Sequence, residues 1–99
     1  MRIVETRKVE DCFNGSSLYR YSFDAVWNQA SMLQLSDLGK LSYYPHFPRP
    51  FFRVRDSLGM EVKGIEGEDS CLVVLPGQEH AESKLRFETL FETAVDKES

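Results

Sequence analysis

The sequence predicts an α+β domain in which a mostly antiparallel sheet carries two helices on one face. Several segments rich in β-branched and aromatic residues are separated by tight-turn signals, which is typical of antiparallel strands. Two further segments have the apolar spacing of amphipathic helices. The length of 99 residues suits one hydrophobic core and is too short for two. We therefore expect residues 1–99 to form a single domain in the order β-β-α-β-β-β-α.

The chain begins with a predicted hairpin. Ile3 to Val9 is rich in β-branched residues, and Asn14-Gly15 is a strong hairpin signal because both residues tolerate positive φ. From Leu18 to Phe23 the sequence alternates, which indicates a strand with two different faces. One of these faces holds three aromatic residues and is expected to pack on the helices: Tyr19, Tyr21 and Phe23.

A first helix is predicted between Asp24, whose carboxylate can cap a helix, and Gly39, which can end one in a left-handed conformation. Its spacing predicts one buried stripe, formed by Val26, Ala30 and Leu33 and flanked by Trp27 and Leu38. Met32 and Leu35 are expected to point elsewhere.

A proline-rich loop and a three-strand meander are predicted next. Leu41 to Tyr44 reads as a short strand, and the prolines of residues 45–50 restrict that segment to a loop or a sheet edge. Strands are then expected at Phe51–Arg55, Met60–Ile65 and Cys71–Leu75, joined by tight turns. The last has no polar face, which is typical of a central strand covered on both sides.

The last predicted element is a helix from about Glu79 to Val95. Its helical spacing predicts a stripe packed on the sheet, made of Phe87, Leu90, Phe91 and Ala94. Ala81 and Leu85 lie off this stripe and form either a small self-association patch or isolated surface residues. The order β-α followed by β-β-α is loosely similar to a ferredoxin-like sandwich, an architectural likeness without a shared motif.

Charge and cysteine content narrow the classes of function. Twelve Lys and Arg against sixteen Asp and Glu give a net charge of −4, which argues against a nucleic-acid binder. Residues 66–99 hold nine of the acids and three of the basic residues, a distribution that suits self-association, a charged partner or a solvated acidic helix. No stretch is long and apolar enough for a signal peptide or a membrane span, so a cytoplasmic location is expected. Cys12 and Cys71 are expected to be separate, partly buried residues; the alternative is a disulfide or a shared metal if the fold brings them together.

The motifs of common catalytic and cofactor sites do not occur in the sequence. It contains no glycine-rich phosphate or dinucleotide loop, no paired cysteines or histidines for zinc or redox chemistry, and no nucleophile elbow. We therefore predict no catalytic residue, no metal and no cofactor, and we favour a binding protein over an enzyme.

Residues 43–55 form the candidate ligand site. They include five Tyr or Phe, three Arg, one His and no acid. Arginine forks match carboxylates and phosphates, and aromatic faces stack on planar ligands, so the segment suits an anionic or aromatic ligand. The same residues also fit an ordinary core strand with solvated arginines. The alternation turns Phe51, Arg53 and Arg55 away from the helices, toward the side expected for Arg20. The predicted site residues are Tyr44, His46, Arg49, Phe51, Arg53 and Arg55.

Three functional hypotheses follow. The leading one is a small ligand-sensing or accessory module that binds an anionic or aromatic small molecule, or a protein partner. The second is a small enzyme whose site forms between residues 43–55 and a neighbouring subunit, with His46 as general acid or base. The third is a structural homodimer that associates through a sheet edge or through Ala81 and Leu85.

Overall fold

Six strands and two helices follow one another in the order that the sequence predicts, with the short additional strand present. The computed structural model describes residues 1–12, 15–78 and 80–91. The elements are β1 (Ile3–Asp11), β2 (Ser17–Phe23), α1 (Gln29–Gln34) with a 3₁₀ turn (Leu35–Asp37), β3 (Lys40–Tyr44), β4 (Phe51–Arg55), β5 (Glu61–Ile65), β6 (Ser70–Leu75) and α2 (His80–Leu90). The predicted α+β class is confirmed.

All six strands form one antiparallel sheet in the order β1-β2-β6-β5-β4-β3. The predicted meander of β4, β5 and β6 is confirmed, and the β1–β2 hairpin joins it because β2 pairs with β6. Gly15, in the hairpin turn, has the positive φ that the turn requires; Asn14 lies outside the described residues. This strand order does not confirm the ferredoxin-like likeness. The two edges of the sheet are β1 and β3.

The core lies between one face of the sheet and the two helices. Tyr21 on β2 is paired with Cys71 on β6, and both side chains are buried on this covered face. Phe87 of α2 and Phe91, which directly follows the helix, pack there as well, and the rings of Tyr21 and Phe87 lie 4.7 Å apart between centroids. Both helices therefore cover the same face, as predicted, and Phe23 is buried with them.

The first helix begins later than the sequence predicts. Asn28, not Asp24, is the N-cap: its side chain accepts a hydrogen bond from the Ser31 N–H, and the Ser31 hydroxyl accepts one from the Asn28 N–H. Asp24 instead accepts a hydrogen bond from the Arg2 N–H at 2.8 Å. The predicted cap was wrong because Asp24 ties the end of β2 to the first residues of the chain.

The predicted buried stripe of this helix was also wrong. The residues expected to be buried are exposed: Val26, Ala30 and Leu33. Met32 and Leu35 are buried instead, together with Trp27 and Leu38. The orientation is set before the helix begins, since the Trp27 indole N–H donates to the Ser70 carbonyl on β6 at 3.0 Å.

Strand β6 is central but is covered on one side only, so that part of its prediction was wrong. Cys71, Val73 and Leu75 are buried against the helices, whereas Leu72 and Val74 are half-buried on the opposite, open face. The lack of a polar face on β6 therefore does not mean that both faces are covered, because its second face belongs to the open surface of the sheet.

Phe87 in α2 and Phe91 directly after it are buried as predicted, and Leu90 is half-buried. Ala81 and Leu85 are exposed. Glu79 and Ala94 lie outside the described residues.

The two cysteines are free. Cys71 lies opposite Tyr21, whereas Cys12 follows Asp11, the partner of Ser17 at the other end of β2. Four residues of strand separate these positions, a length of about 13 Å. That distance is too great for a disulfide.

Candidate functional site

The open face of the sheet carries basic side chains in one line across neighbouring strands. Arg7 is paired with Arg20, Arg20 with Leu72, Leu72 with Lys63, and Lys63 with Arg53. We call these four cations the basic row. Like charges on directly opposite strand residues destabilise a sheet, so the Arg7–Arg20 and Arg53–Lys63 pairs are unfavourable, although Glu61 offsets part of the charge at Arg53.

The turn between β4 and β5 fixes the position of Lys63 in the row. The Asp56 N–H donates to the Met60 carbonyl at 3.1 Å, and the Asp56 carboxylate accepts from the N–H groups of Leu58 and Met60 at 2.9 Å each. This closed turn sets the pairing of β4 with β5, which places Arg53 opposite Lys63 on the same face.

A depression of about 420 Å³ lies on the open face over β5 and β6, beside the turn that joins them. Its floor includes Leu72 and Ile65, and Arg20 and Lys63 stand on either side of Leu72. Because these two cations are two strand spacings apart, their backbones are separated by about 10 Å. Side chains of this length can both reach an acidic group placed above Leu72. The other lining residues are Arg49, Phe51, Gly64, Glu68, Ser70 and Cys71, the last through its backbone because its side chain is buried on the covered face.

The basic side chains of the region differ in how they are neutralised. Arg53 and Arg55 share one carboxylate, with their Nε atoms 3.7 and 3.5 Å from Glu61 Oε2. Among the described residues, no carboxylate forms an ion pair with Arg20 or Lys63. Arg20 makes one hydrogen bond, from Nη2 to the Ser70 hydroxyl at 3.2 Å. Arg20 and Lys63 therefore border the depression without a carboxylate partner. Arg7 of the basic row also has no ion pair among the described residues, but it lies outside the lining.

Three aromatic rings form a cluster at the edge of the depression. Tyr44 and Phe51 stack with centroids 4.6 Å apart, and Phe47 lies 5.1 Å from Phe51. Arg53 Nη2 donates to the Tyr44 hydroxyl at 3.4 Å. Since Phe51 also lines the depression, the aromatic cluster and the basic row meet at this residue.

The acidic turn between β5 and β6 holds the proline-rich loop in place. Glu68 forms an ion pair with Arg49, and Glu66 accepts a hydrogen bond from the Tyr43 hydroxyl. This hydrogen bond raises the pKa of Tyr43 above its ordinary value. The Glu66 N–H also donates to the Pro50 carbonyl at 2.9 Å. Within the described parts of the chain, no three His, Cys, Asp or Glu residues are grouped as metal ligands would be.

The predicted site residues fall into three groups. Tyr44, Phe51 and Arg53 contact one another on the open face, and Arg49 lines the depression beside them. Arg55 lies beside Glu61, outside the lining of the depression.

His46 stands apart from the other predicted site residues. It is exposed in the loop, and among the described residues no carboxylate is hydrogen-bonded to it. The acid–base arrangement that the enzyme hypothesis requires is therefore not formed by the described residues of one copy.

Sequence reasoning missed most of the lining of the depression on β5 and β6. Lys63, Ile65 and Leu72 belong to strands whose composition gave no sign of a ligand site. The signal that could have found Lys63 is the register of the β4–β5 hairpin, because a closed turn at Asp56 puts Lys63 opposite Arg53. Leu72 could have been found by treating the apolar face of β6 as open.

Comparison of the chain with protein-family models, with curated proteins and with solved structures gave no match. In residues 1–12, 15–78 and 80–91, no helix has the length and apolarity that crossing a membrane requires. Function is therefore inferred from the geometry of the open face alone.

Proposed function

We propose that this protein is a small binding module whose open sheet face holds an amphipathic anion, a flat apolar molecule that carries a carboxylate or phosphate. The observation that carries the proposal is the depression in which the unpaired Arg20 and Lys63 flank the half-buried Leu72. An apolar floor between two cations matches a ligand with an apolar body and an acidic group.

Each part of the depression has a distinct role in this proposal. The acidic group bridges Arg20 and Lys63, and charge-assisted hydrogen bonds to such groups are among the stronger ones in proteins. The apolar body covers Leu72 and Ile65 and extends toward the ring of Phe51. Arg20 gives up one hydrogen bond to the uncharged Ser70 hydroxyl when the ligand binds.

Ligand binding also removes an unfavourable feature of the free protein. The directly opposed cations of the basic row repel one another, and an anion between Arg20 and Lys63 offsets that repulsion. A protein that keeps such a row at a cost in stability is expected to use it for binding. We further propose a cytoplasmic location, which the two free cysteines support because reduced thiols persist in reducing compartments.

The proposal is tested by NMR titration of the ¹⁵N-labelled protein with 2-naphthoate, a flat aromatic carboxylate. The expected result is a set of saturable shift changes in β2, β5 and β6 around Arg20, Lys63 and Leu72. The neutral 2-naphthylmethanol should bind more weakly, and added salt should weaken 2-naphthoate binding by screening the charges. Shift changes confined to other regions would contradict the proposal.

Single substitutions identify the cations that bind the anion. Arg20→Gln and Lys63→Gln should each weaken 2-naphthoate binding about tenfold, because each removes one charged donor. Arg55→Gln is the matched control, since it removes the same charge from a residue beside Glu61 and outside the depression. Equal weakening by Arg55→Gln would indicate general attraction to positive charge and would overturn the assigned site. Neither substitution in the basic row should lower stability, because each reduces repulsion.

A further inference from the structure

The two edges of the sheet are protected to different degrees. β1 carries five charged side chains over its nine residues, and its pairing with β2 is interrupted by two irregularities, at Ile3/Glu5 and at Lys8/Glu10. β3 carries one charged residue, Lys40, and pairs regularly with β4 over all five positions. Charges and bulges keep sheet edges from recruiting further strands. β3 is therefore the unprotected edge.

The turns beside β4 show which backbone groups this strand directs toward β5. The Pro50 carbonyl accepts a hydrogen bond from the Glu66 N–H, and the Asp56 N–H donates to the Met60 carbonyl. Residues 50 and 56 therefore direct their backbone groups toward β5. Because these groups alternate between the two sides of a strand, residues 52 and 54 also face β5, and residues 51, 53 and 55 face β3.

The outward-facing groups of β3 follow from this assignment. Residues 51, 53 and 55 are paired with residues 44, 42 and 40 of β3, whose backbone groups therefore point inward to β4. The N–H and C=O of Leu41 and Tyr43 then point away from the sheet. No turn or loop backbone group in the described residues is bonded to these four groups.

We propose that a second copy of this chain pairs with β3 in antiparallel fashion, about a two-fold axis that passes beside Ser42. In this register Leu41 lies opposite Tyr43 of the partner subunit, and the two residues exchange both backbone hydrogen bonds. The symmetric pair does the same, so all outward N–H and C=O groups of Leu41 and Tyr43 in both copies are satisfied.

The side chains of β3 are complementary in the same register. On the covered face, Leu41 and Tyr43 border a groove of about 260 Å³ together with Met32 and Leu33, and Leu33 is 62% exposed. The Leu41 and Tyr43 side chains of the second copy extend the apolar wall of this groove.

On the open face, Lys40 lies opposite Tyr44 of the partner subunit, which is a favourable pairing of a cation with an aromatic ring. The register brings no like charges of β3 opposite one another. Five residues form a short interface, so the dimer is expected to be weak and to depend on concentration. Arg20 and Lys63 take no part in the pairing, so its test is independent of ligand binding.

A charge exchange at Ser42 tests the proposal. Sedimentation velocity of the wild-type protein over a hundredfold concentration range should show a reversible monomer–dimer equilibrium. Ser42→Glu and Ser42→Lys should each be monomeric, because two like charges then face each other across the axis. An equimolar mixture of the two variants should restore the dimer. Within one copy, residue 42 lies opposite Arg53, so Ser42→Glu favours the pairing with β4 and Ser42→Lys disfavours it. Circular dichroism checks that both variants are folded.

Ser57→Glu and Ser57→Lys are the matched controls, because Ser57 is exposed in the β4–β5 turn. Both should dimerise like the wild type. A wild-type protein that stays monomeric at the highest concentration would overturn the proposal. A dimer that survives Ser42→Glu would also overturn it, and its loss in Leu85→Glu would place the contact on α2 instead.

Discussion

Arg86 on α2 donates a hydrogen bond of 3.0 Å to the carboxylate of Asp56, whose side chain in the β4–β5 turn is only 3% exposed. The other carboxylate oxygen of Asp56 accepts two N–H groups of its own turn. Arg86 also donates to the Leu38 carbonyl at 3.2 Å. One buried carboxylate thus joins α2, the β4–β5 turn and the end of the first helical segment.

Asp56→Ala should lower the free energy of unfolding by about 2–4 kcal/mol, because it removes a partly buried ion pair and two turn hydrogen bonds. Asp56→Asn should cost less, since its amide oxygen still accepts the turn N–H groups. Urea denaturation followed by the fluorescence of Trp27, the single tryptophan, measures both. Asp37→Asn is the control at an exposed position and should stay within about 0.5 kcal/mol of the wild type. An Asp56→Ala variant as stable as this control would contradict the structural role of Asp56.

Gly64 leaves room for the buried ring of Phe52. A Cβ atom at residue 64 would lie 2.4 Å from Phe52 Cζ, and this ring in turn packs on Trp27 at 4.8 Å. Gly64→Ala should therefore destabilise the protein by about 1–3 kcal/mol through overpacking. The double variant Gly64→Ala/Phe52→Leu should recover part of that loss, because the smaller side chain vacates the space. Additive losses in a double-mutant cycle of urea denaturation would show that the two positions do not compete for volume.

Asn28 caps the N-terminus of α1, a helix of six residues. Asn28→Ala removes the side-chain acceptor for the Ser31 N–H and should cost about 1 kcal/mol of stability. Asn28→Asp keeps an oxygen in the same place and should remain close to the wild type. Thermal denaturation of the two variants measures the difference, and equal midpoints would mean that the cap is not needed.

The strands were predictable because their information is local. Alternation placed Tyr21 and Phe23 on the covered face, and turn residues bounded the meander of β4, β5 and β6. The start and orientation of the first helix were not predictable, because they depend on contacts with residues that are distant in the sequence. The Asp24 carboxylate accepts a hydrogen bond from the Arg2 N–H, and the Trp27 indole donates one to the Ser70 carbonyl, 43 residues further along the chain.

The candidate site was predictable only in part for the same reason. Phe51 and Arg53 lie on the open face as the alternation of β4 implies. Lys63 and Leu72 join them only through the pairing of β4 with β5 and of β5 with β6, which no single segment specifies. Glu61 also changes the role of Arg53 and Arg55, since this acid outside residues 43–55 partly neutralises both side chains.

The protein should lose stability at alkaline pH, because two weakly acidic groups are buried: the Cys71 thiol and the Tyr21 hydroxyl. Burial raises the pKa of both above their ordinary values of 9.0 and 10.0, and the hydrogen bond from Tyr21 to Glu88 raises the pKa of Tyr21 further. Above pH 9.0 the unfolded chain releases the Cys71 proton while the folded protein keeps it. The folded state then binds more protons, so the free energy of unfolding falls as pH rises.

The Cys71→Ala variant isolates the contribution of the thiol. Between pH 9 and 10 the wild-type free energy of unfolding should fall more steeply than that of Cys71→Ala, by up to about 1.4 kcal/mol per pH unit. Urea denaturation at several pH values from 7 to 10 measures the two slopes. Val73→Ala, a buried substitution on the same strand, should lower stability at every pH and keep the wild-type slope. Parallel wild-type and Cys71→Ala curves would show that the thiol ionises equally easily in the folded and unfolded states.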